Sequence, residues 1–319
     1  MKNIYIGTVI ILAIVMLTFP LLASKEHTPQ GNNSVTTNTT PLDNNTNYET
    51  IKVYMSEANE VKIFNMEDYL FGVVAAEMPA LYSDEALKAQ AVAAYTYALY
   101  KTNQNALENY DITDNFQTDQ AFITVDKARE KWGEDADTYE NKIRNAVKSV
   151  KGKKLTYNGS PILSVYHAIS SGKTESAFDI WGGSYDYLVS VDSVGDKLSP
   201  NYMTTAEFHL DDLKSKLSTL CEFSGDAKDY FGEIIRTESG SVRTVNICGN
   251  AVSGSSIRAA LDLRSANFEV AFSEGKFIFT VIGYGHGIGM SQYGAHYMAM
   301  QGKTYEEILI HYYKGCEIK

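Results

Sequence analysis

The sequence predicts an α+β fold, because helix-type and strand-type patterns are interleaved along the chain without the regular βαβ repeat of a doubly wound sheet. Apolar residues recur at intervals of three and four from Glu67 to Glu77 and again after Ser83, which indicates helices. β-branched and aromatic runs separated by short turns fill much of 231–283, which indicates strands. At 319 residues the chain is long enough to bury a large hydrophobic core.

The first half of the domain begins with a predicted hairpin at 51–66, where two short β-branched and aromatic runs flank a polar turn. The helix that starts at Glu67 ends near Glu77 because Pro79 follows. Ser83 is a suitable N-cap for the next helix, whose alanines predict close packing. Further along, the patterns predict helices over 125–132 and 138–150 and a buried strand over 161–169.

The second half adds strands and a final helix. Residues 204–218 have helical spacing. The last helix begins with the capping-box spacing of Thr304 and Glu307 in TYEEILIHYYK. Between them, strands are predicted in 231–239, 241–249 and 268–283.

The first 50 residues are predicted to lie outside the folded domain. Residues 4–23 form an uncharged apolar run of 20 residues, the length that a helix needs to cross a bilayer. We expect 1–23 to be an uncleaved signal anchor, and a cleaved signal peptide is the alternative. The Asn- and Thr-rich residues 24–50 are predicted to be a flexible tether, which leaves 51–319 as a domain outside the cytoplasm.

Charge and cysteine content disfavour two classes of protein. The chain has 39 acidic and 28 basic side chains, a net charge of −11 and no basic block, so we expect no nucleic-acid partner. Cys221, Cys248 and Cys316 are too few and too scattered for a disulfide framework. Whether Cys221 pairs with Cys248 is left open by the sequence.

Glu77 is the first candidate for catalysis. It lies at the end of the apolar run GVVAAEMP, where burial would disfavour the carboxylate and raise its pKa, as a general acid near neutral pH requires. Lys88 and Tyr95 are seven residues apart on the next helix and share a face that can line a groove beside Glu77. The alternatives are a partly exposed helix-end glutamate, a solvated lysine and a packing tyrosine.

His167 lies at the end of the predicted strand run PILSVY, where functional loops gather, and Ser170 and Ser171 follow it. A serine hydrolase is disfavoured because the G-x-S-x-G motif is absent. A zinc site lacks nearby cysteines and the HExxH motif, although His286 can approach His167 in space.

The run GYGHGIGMSQYGAHYMAMQG at 283–302 is the most distinctive stretch of the chain. Glycines alternate at its start, which permits positive φ angles and close backbone approach. The lysine of a P-loop is missing, so nucleotide binding is disfavoured. Polar side chains at the following helix start fit a ligand wall; they are His286, Ser291, Gln292 and Tyr293.

Four motifs, in this order, resemble one family. EMPALYSDEALKAQAVAAYTYAL, His167 with SSGKTE and WGG, SGSSIRAALDLRS, and GYGHGIGMSQYGAHYMAMQGKTYEEIL are similar to the stage II sporulation protein D (SpoIID) family of endospore-forming bacteria. The resemblance extends over about residues 51–316. It implies a single SpoIID-type domain with a groove between a helical part and a strand-rich part.

The resemblance implies a peptidoglycan lytic transglycosylase. Such an enzyme cuts the β-1,4 bond between N-acetylmuramic acid and N-acetylglucosamine and closes a 1,6-anhydro ring on the muramoyl residue. The glutamate of the EMP motif, here Glu77, is implied to be the single catalytic acid, without the second carboxylate of ordinary glycosidases. Around it we expect a substrate-binding set of Lys88, Tyr95, His167, Ser170, Ser171, His286, Ser291, Gln292 and Tyr293.

The resemblance also implies a setting and partners. Family members act in forespore engulfment on glycan strands stripped of stem peptides, with a SpoIIP-like amidase and endopeptidase and a SpoIIM-like membrane protein. The predicted anchor and tether fit a single-pass protein of the mother-cell membrane whose catalytic domain faces the intermembrane space. No cofactor is implied.

Two departures from the family pattern keep alternatives open. Tyr95 stands where family members usually carry Arg, which removes one positive contact from the groove. Some relatives hold a structural zinc with the histidine at position 167 and nearby cysteines, which are absent here, so we predict no metal. The alternative function is a non-catalytic glycan-binding enhancer of a partner cell-wall amidase, and a third hypothesis is a zinc amidase that uses His167 and His286.

Overall fold

The computed structural model describes residues 49–105, 108–183 and 185–319, in which helices and strands are mixed as the sequence predicts. The predicted anchor at 1–23, and all but the last two residues of the predicted tether at 24–50, lie outside these ranges. Among the described residues, no helix combines the length and the apolar character needed to cross a membrane.

Several of the described helices begin with a side-chain N-cap. Asn65 and Thr304 each accept a backbone hydrogen bond at a helix start, and the predicted capping box of Thr304 and Glu307 is present. In chain order the α-helices of the described ranges are α1 Met66–Glu77, α2 Asp84–Gln104, α3 Val125–Trp132, α4 Ala136–Ser149, α5 Ala177–Trp181, α6 Leu210–Leu217, α7 Gly254–Leu261, α8 Gln292–Met300 and α9 Tyr305–Tyr312.

The strands form several small sheets. In chain order they are β1 Thr50–Met55, β2 Glu60–Asn65, β3 Ile112–Thr113, β4 Leu155–Tyr157, β5 Ser160–Pro161, β6 Tyr166–His167, β7 Met203–His209, β8 Phe231–Arg236, β9 Val242–Ile247, β10 Asn250–Ser253, β11 Phe268–Ser273, β12 Lys276–Ile282, β13 Met290–Ser291 and β14 Glu317–Ile318. The sheet orders are β2-β1-β3, β14-β4-β5, β10-β9-β8 and β11-β12-β7, with β13 beside β6. Of these pairs, β1 with β3 and β13 with β6 are parallel, and the predicted hairpin of β1 and β2 is confirmed.

Two hydrophobic cores hold these elements together. The first contains α1, α2 and α4 and extends to the last helix, and the alanines of α2 are buried in it, which allows the neighbouring helices to approach closely. The second lies within 203–282, where the rings of Phe268, Phe277 and Phe279 are fully buried. Residues before and after this segment belong to the first core. The strand-rich part is therefore inserted between two stretches of the helical part.

The predicted continuous strand over 161–169 is wrong. Its two ends pair with different partners, β5 with β4 and β6 with β13, and the residues between belong to neither ladder. In the gap, Ser164 Oγ donates to the carbonyl oxygen of Ala93 at 2.7 Å, and Leu163 N donates to the hydroxyl oxygen of Tyr187 at 3.1 Å. The Tyr187 hydroxyl therefore satisfies a backbone amide that a strand partner would otherwise pair, and the Ser164 side chain ties the segment to α2.

The predicted helix over 204–218 is wrong in its first half. Met203–His209 is strand β7, and α6 starts only at Leu210. The whole of β7 pairs antiparallel with β12, and the alternate residues Ala206 and Phe208 pack on the second core. Pairing with a distant strand therefore overrides the local helical spacing.

The cysteines form no disulfide. Cys221 and Cys316 are buried free thiols, and Cys248 is a half-buried one. The pairing of Cys221 with Cys248 that the sequence left open is therefore not made.

Candidate active site

One cavity of about 610 Å³ brings Glu77 together with part of the predicted site. His167, His286 and Gln292 line it with Glu77. Its volume is in the range of small-molecule sites. The other lining residues come mainly from the loop before α3, the segment around β6 and a set of aromatic side chains; they are Ala76, Tyr97, Phe116, Gln117, Thr118, Asp119, Gln120, Leu163, Val165, Tyr166, Ala168, Trp181, Tyr284 and Gly285.

Glu77 is held at the cavity by two hydrogen bonds. It is the last residue of α1, and Pro79 forces the chain out of the helix immediately after it. Ala121 N donates to Glu77 Oε1 at 2.7 Å, and the Gln292 side chain donates a second bond. Burial raises the pKa of the Glu77 carboxyl, while both hydrogen bonds oppose that rise. The net effect is a carboxyl that stays protonated to higher pH than an ordinary glutamate.

Tyrosines form a hydrogen-bonded wall behind Glu77. The Tyr166 hydroxyl donates to Gln120 Oε1 at 2.8 Å, and Gln120 Nε2 donates to the Tyr69 hydroxyl at 2.7 Å. Burial raises the pKa of Tyr166 and Tyr69 well above the usual range, and the charge of Glu77 adds to the effect. These phenols therefore stay neutral and can donate hydrogen bonds at any physiological pH.

Asp119 is a second carboxylate at the cavity, which no motif or spacing in the sequence predicted. Lys101 Nζ lies 2.7 Å from Asp119 Oδ1, and the backbone and hydroxyl of Thr113 both donate to Oδ2 at 2.9 Å. Its side chain is only 3% exposed. Both oxygens are thus engaged by the protein. No sequence signal marked this residue, since it lies in a polar loop without periodicity.

His167 and His286 are neutral imidazoles at neutral pH. His167 Nδ1 lies 3.0 Å from the carbonyl oxygen of Ile288, so this nitrogen carries the proton. His286 Nδ1 accepts from Ile288 N at 3.0 Å, so here the other nitrogen carries the proton. Burial, with a smaller contribution from the Arg258 charge, lowers the pKa of His167 to about 4 and that of His286 to about 3.

The two histidines do not assemble a metal site. A protein zinc site takes three or four protein ligands, and the residues described by the structure contain no group of three His, Cys, Asp or Glu side chains able to hold a metal ion. His167 Nε2 is buried without a hydrogen-bond partner among these residues. The zinc-amidase hypothesis is therefore left without a site in the described part of the chain.

The alternating glycines let the loop at 283–289 pack directly on the His167 segment. All four have positive φ, between +71° and +111°, as predicted. A Cβ at Gly285 would lie 2.7 Å from Cβ of His167, and one at Gly289 would lie 2.0 Å from the carbonyl oxygen of Val165. The loop thus packs against the segment around His167, and the glycines allow the close approach that positions His167 and His286.

Ser170 and Ser291 contact a buried carboxylate and do not line the cavity. Both hydroxyls donate to Asp196, the Ser291 bond being 2.7 Å long, and the Ser170 amide adds a bond of 3.0 Å. Ser291 also caps α8 by accepting from Gly294 N at 3.2 Å. The structure thus places both serines in a structural network around Asp196.

Ser171 and Tyr293 also lie away from the cavity lining. Ser171 Oγ donates to the carbonyl oxygen of Ser239 at 2.6 Å, which ties the helical part to the strand-rich part. The Tyr293 hydroxyl donates to the carbonyl oxygen of Leu198 at 3.1 Å, and its ring contacts Tyr82 edge to face.

Lys88 and Tyr95 do not reach the cavity because α2 turns a different face toward it. On that face Gln90 Oε1 accepts from Gln292 Nε2 at 3.4 Å. Lys88 instead pairs with Glu85 at 2.6 Å. Tyr95 lines a separate cavity of about 370 Å³ beside the start of α1.

Three aromatic side chains at the cavity are unusually exposed. Phe116, Trp181 and Tyr284 are 73%, 45% and 47% exposed, although all three line the cavity. We refer to them as the aromatic rim. Exposed apolar surface of this kind marks sites of interaction. Trp181 lies in the WGG motif, but neither its spacing nor its neighbours predicted a place beside Glu77.

Comparison with known proteins relates the chain to sporulation proteins. The family model SpoIID, Stage II sporulation protein, matches residues 54–157. The chain is 39% identical over 272 residues to Stage II sporulation protein D of Bacillus amyloliquefaciens and 38% identical over 271 residues to that of Bacillus subtilis (strain 168). Each alignment covers 84% of this chain and 78% of the relative. The Amidase enhancer of Bacillus subtilis (strain 168) is 28% identical over 300 residues, covering 78% of this chain and 40% of that protein.

Proposed function

The chain belongs to the stage II sporulation protein D family of sporulation proteins, and on that premise we propose that it is a peptidoglycan lytic transglycosylase with Glu77 as its catalytic residue. The substrate is the glycan strand freed of stem peptides. The bond cleaved is the β-1,4 link between N-acetylmuramic acid and N-acetylglucosamine, and the product carries a 1,6-anhydro-muramoyl end.

The buried carboxyl of Glu77 at the cavity, whose pKa burial raises, is the observation that carries the proposal. The carboxyl gives its proton to the glycosidic oxygen as the bond to the muramoyl C1 breaks, which leaves an oxocarbenium-like centre. The resulting carboxylate then takes the proton of the muramoyl 6-hydroxyl while O6 attacks C1. One group thus acts as acid and then as base, and the proton balance closes without water.

The surroundings of Glu77 favour this route over ordinary hydrolysis. A retaining or inverting glycosidase needs a second carboxylate that is free to attack the sugar or to activate water. Asp119 is the second carboxylate at the cavity, and its oxygens are engaged by Lys101 and Thr113. Intramolecular attack by the 6-hydroxyl needs no such partner, which supports an anhydro product.

The aromatic rim and the neutral polar groups suit a sugar polymer. Sugar rings present C–H faces that stack on aromatic rings, and Phe116, Trp181 and Tyr284 offer exposed rings at the cavity. Gln292, His167 and His286 are the members of the predicted binding set that we retain in the proposed site. The groove implied by the resemblance corresponds in this proposal to the cavity around Glu77.

The proposed setting is forespore engulfment. In it, an N-terminal anchor and tether hold the domain on the mother-cell membrane so that it faces the intermembrane space. A SpoIIP-like amidase and endopeptidase would supply stripped glycan, and a SpoIIM-like membrane protein would complete the assembly. The membership in a sporulation family supports this setting.

The activity is tested by incubating the full-length chain with peptide-free glycan strands and analysing the products by mass spectrometry. We expect anhydro-muramoyl ends from the wild type and none from Glu77→Gln. Glu67→Gln is the matched control, because Glu67 lies at the start of the same helix and pairs with Lys151 on the surface. Products with ordinary reducing ends would replace the proposal with a hydrolase.

A second candidate function is a non-catalytic, glycan-binding enhancer of a partner cell-wall amidase. The similarity to the Amidase enhancer of Bacillus subtilis favours it, as does Tyr95 in place of the usual family arginine. This function predicts no glycan product from the wild type, together with faster stem-peptide release when the chain is added to a partner amidase.

A further inference from the structure

Two arginines beside the cavity differ from all the others in the chain. The sequence contains six arginines, and Arg129, Arg144, Arg236 and Arg243 form ion pairs with carboxylates. Arg258 and Arg264 form none with any carboxylate of the described residues within 4.0 Å. Asp262 acts on Arg258 only as a more distant charge. The chain has a net charge of −11, so carboxylates are abundant, yet these two guanidinium groups pair with none of those in the described residues. Positive charge is therefore available beside this cavity.

Arg264 is fixed to the wall of the cavity by its side chain and its backbone. Its guanidinium carbon lies 4.3 Å from the centre of the Tyr284 ring, one of the three rings of the aromatic rim. Its carbonyl oxygen accepts from the amide of Gly285, which also lines the cavity, at 2.9 Å. Stacking on a tyrosine orients the plane of the guanidinium and leaves its edge of N–H donors available.

Arg258 adds positive charge behind the same wall. It is half-buried, its Nε donates to the carbonyl oxygen of Leu263 at 3.3 Å, and burial lowers its pKa. Leu263, whose carbonyl oxygen it contacts, adjoins Arg264, and the Arg258 charge also lowers the pKa of His167 and His286. A partly buried cation without a counter-ion is costly, and an anionic ligand would offset that cost.

We propose that Arg264, supported by Arg258, binds a carboxylate of the glycan at the edge of the cavity, and that this carboxylate is the lactyl group of a muramoyl residue. The inference rests on the proposed function. A stem peptide is attached to that lactyl carboxyl through an amide, so the carboxylate is free only on strands from which the peptide has been cut at this amide. Arg264 therefore acts as a specificity-determining residue that favours stripped strands, through the paired N–H bonds that guanidinium makes with carboxylates.

Stem peptides also carry carboxylates, so the experiment separates the two sources. The protein is the full-length Glu77→Gln chain, which by the proposed function binds glycan without cutting it. Three forms of a short glycan of equal length are titrated by calorimetry: peptide-free, peptide-free with the lactyl carboxylates converted to methylamides, and with intact stem peptides.

We expect the methylamide and the peptide-bearing forms to bind roughly tenfold more weakly than the free carboxylate form. Adding Arg264→Gln should weaken binding of the free carboxylate form to that same level and abolish the discrimination. Arg129→Gln should leave it intact, because Arg129 is exposed and pairs with Asp137 and Glu140 on α4. Equal affinity for the carboxylate and methylamide forms would overturn the proposal, and this comparison needs no variant at Arg264. Tighter binding of the peptide-bearing form would overturn it too.

The failure of this inference is distinguishable from failure of the proposed function. If the wild type makes no anhydro product but Arg264-dependent binding of the carboxylate form persists, the enzyme assignment fails and the carboxylate site stands. If the wild type cuts glycan but the titrations show no dependence on the carboxylate, the enzyme assignment stands and the carboxylate site fails.

Discussion

The backbone amide of Ala121 donates to Oε1 of Glu77 over 2.7 Å, which joins the last residue of α1 to the loop that precedes α3. This bond stabilises the carboxylate form, as does the bond from Gln292, whereas burial stabilises the protonated form. Burial is the largest effect, so the pKa of Glu77 is raised. The carboxyl is thus fixed in one orientation while it keeps its proton to higher pH.

Gln292→Met removes one of the two hydrogen bonds that lower the Glu77 pKa, so the pKa should rise further. Since the protonated form is the proposed acid, activity falls as pH rises through this pKa. We expect the alkaline limb of kcat/KM for peptide-free glycan to move to higher pH by about one unit or less.

Gln301→Met is the control for that profile. Gln301 follows the same helix, α8, on the exposed surface, and its substitution should leave the limb in place. A limb that moves to lower pH in Gln292→Met would contradict the role assigned to Gln292.

Glu77→Gln should make the protein more stable at alkaline pH. A carboxyl whose folded pKa is raised contributes stability that is present below its unfolded pKa, near 4.3, and lost as pH rises through the folded pKa. Glutamine does not titrate, so the variant avoids this loss. Its advantage over the wild type should grow as pH rises above about 4, by about 1.4 kcal/mol for each unit by which the pKa is raised.

Urea unfolding followed by circular dichroism at several pH values measures this difference. Glu67→Gln again serves as the control, because it removes a surface ion pair with Lys151 and should not gain stability over the wild type as pH rises. A stability difference between Glu77→Gln and the wild type that does not change with pH would show that burial does not raise the Glu77 pKa.

Local signals in the sequence predicted the elements that local interactions determine. The end of α1 at Glu77 was predicted from the helical spacing of its apolar neighbours and the following Pro79, and the structure confirms this helix end and places Glu77 beside a cavity. The capping box at Thr304 was predicted for the same reason, since both of its bonds lie within one turn of helix.

Contacts between distant segments were not predictable in this way. Ser170 and Ser291 looked like ligand-binding residues because of their neighbours, but both donate to Asp196, which no pattern had marked. The strand Met203–His209 has helical spacing and is determined by pairing with β12, about 70 residues further along the chain. Trp181 lines the cavity because of where α5, the short helix that ends with it, lies in the fold, which no local pattern predicts.

Gly289→Ala should destabilise the fold strongly. Gly289 has φ of +71°, and an added Cβ would lie 2.0 Å from the carbonyl oxygen of Val165, which is backbone and cannot move away cheaply. Gly302 has a similar φ of +84° but open space around it. We expect Gly302→Ala to cost about 1 kcal/mol of unfolding free energy, from backbone strain alone, and Gly289→Ala at least about 3 kcal/mol.

Urea unfolding of the two alanine variants measures the contrast between them. Equal costs would mean that the loop can shift away from the segment around Val165. In that case the glycines would not be what positions His167 and His286.

Trp181→Ala should weaken glycan binding if the aromatic rim stacks on sugar rings. The ring is 45% exposed at the cavity and lies 5.6 Å from the ring of His286. The loss of one such stacking contact should reduce affinity roughly 5- to 10-fold. The measurement is a calorimetric titration of peptide-free glycan into the Glu77→Gln chain with and without the second substitution.

Phe178→Ala is the control, because it removes an exposed aromatic ring that does not line the cavity. Phe178 lies on the same short helix, α5, and is 69% exposed, but it is not among the residues that line the cavity. Its substitution should leave affinity unchanged. If Phe178→Ala and Trp181→Ala weaken binding equally, glycan binding does not depend on the aromatic rim, and the place given to Trp181 in the site is wrong.

Tryptophan fluorescence gives a second test, because the sequence has only two tryptophans and Trp132 packs against Phe71 and Tyr139. A change in emission on glycan binding should therefore persist in Trp132→Phe and vanish in Trp181→Phe.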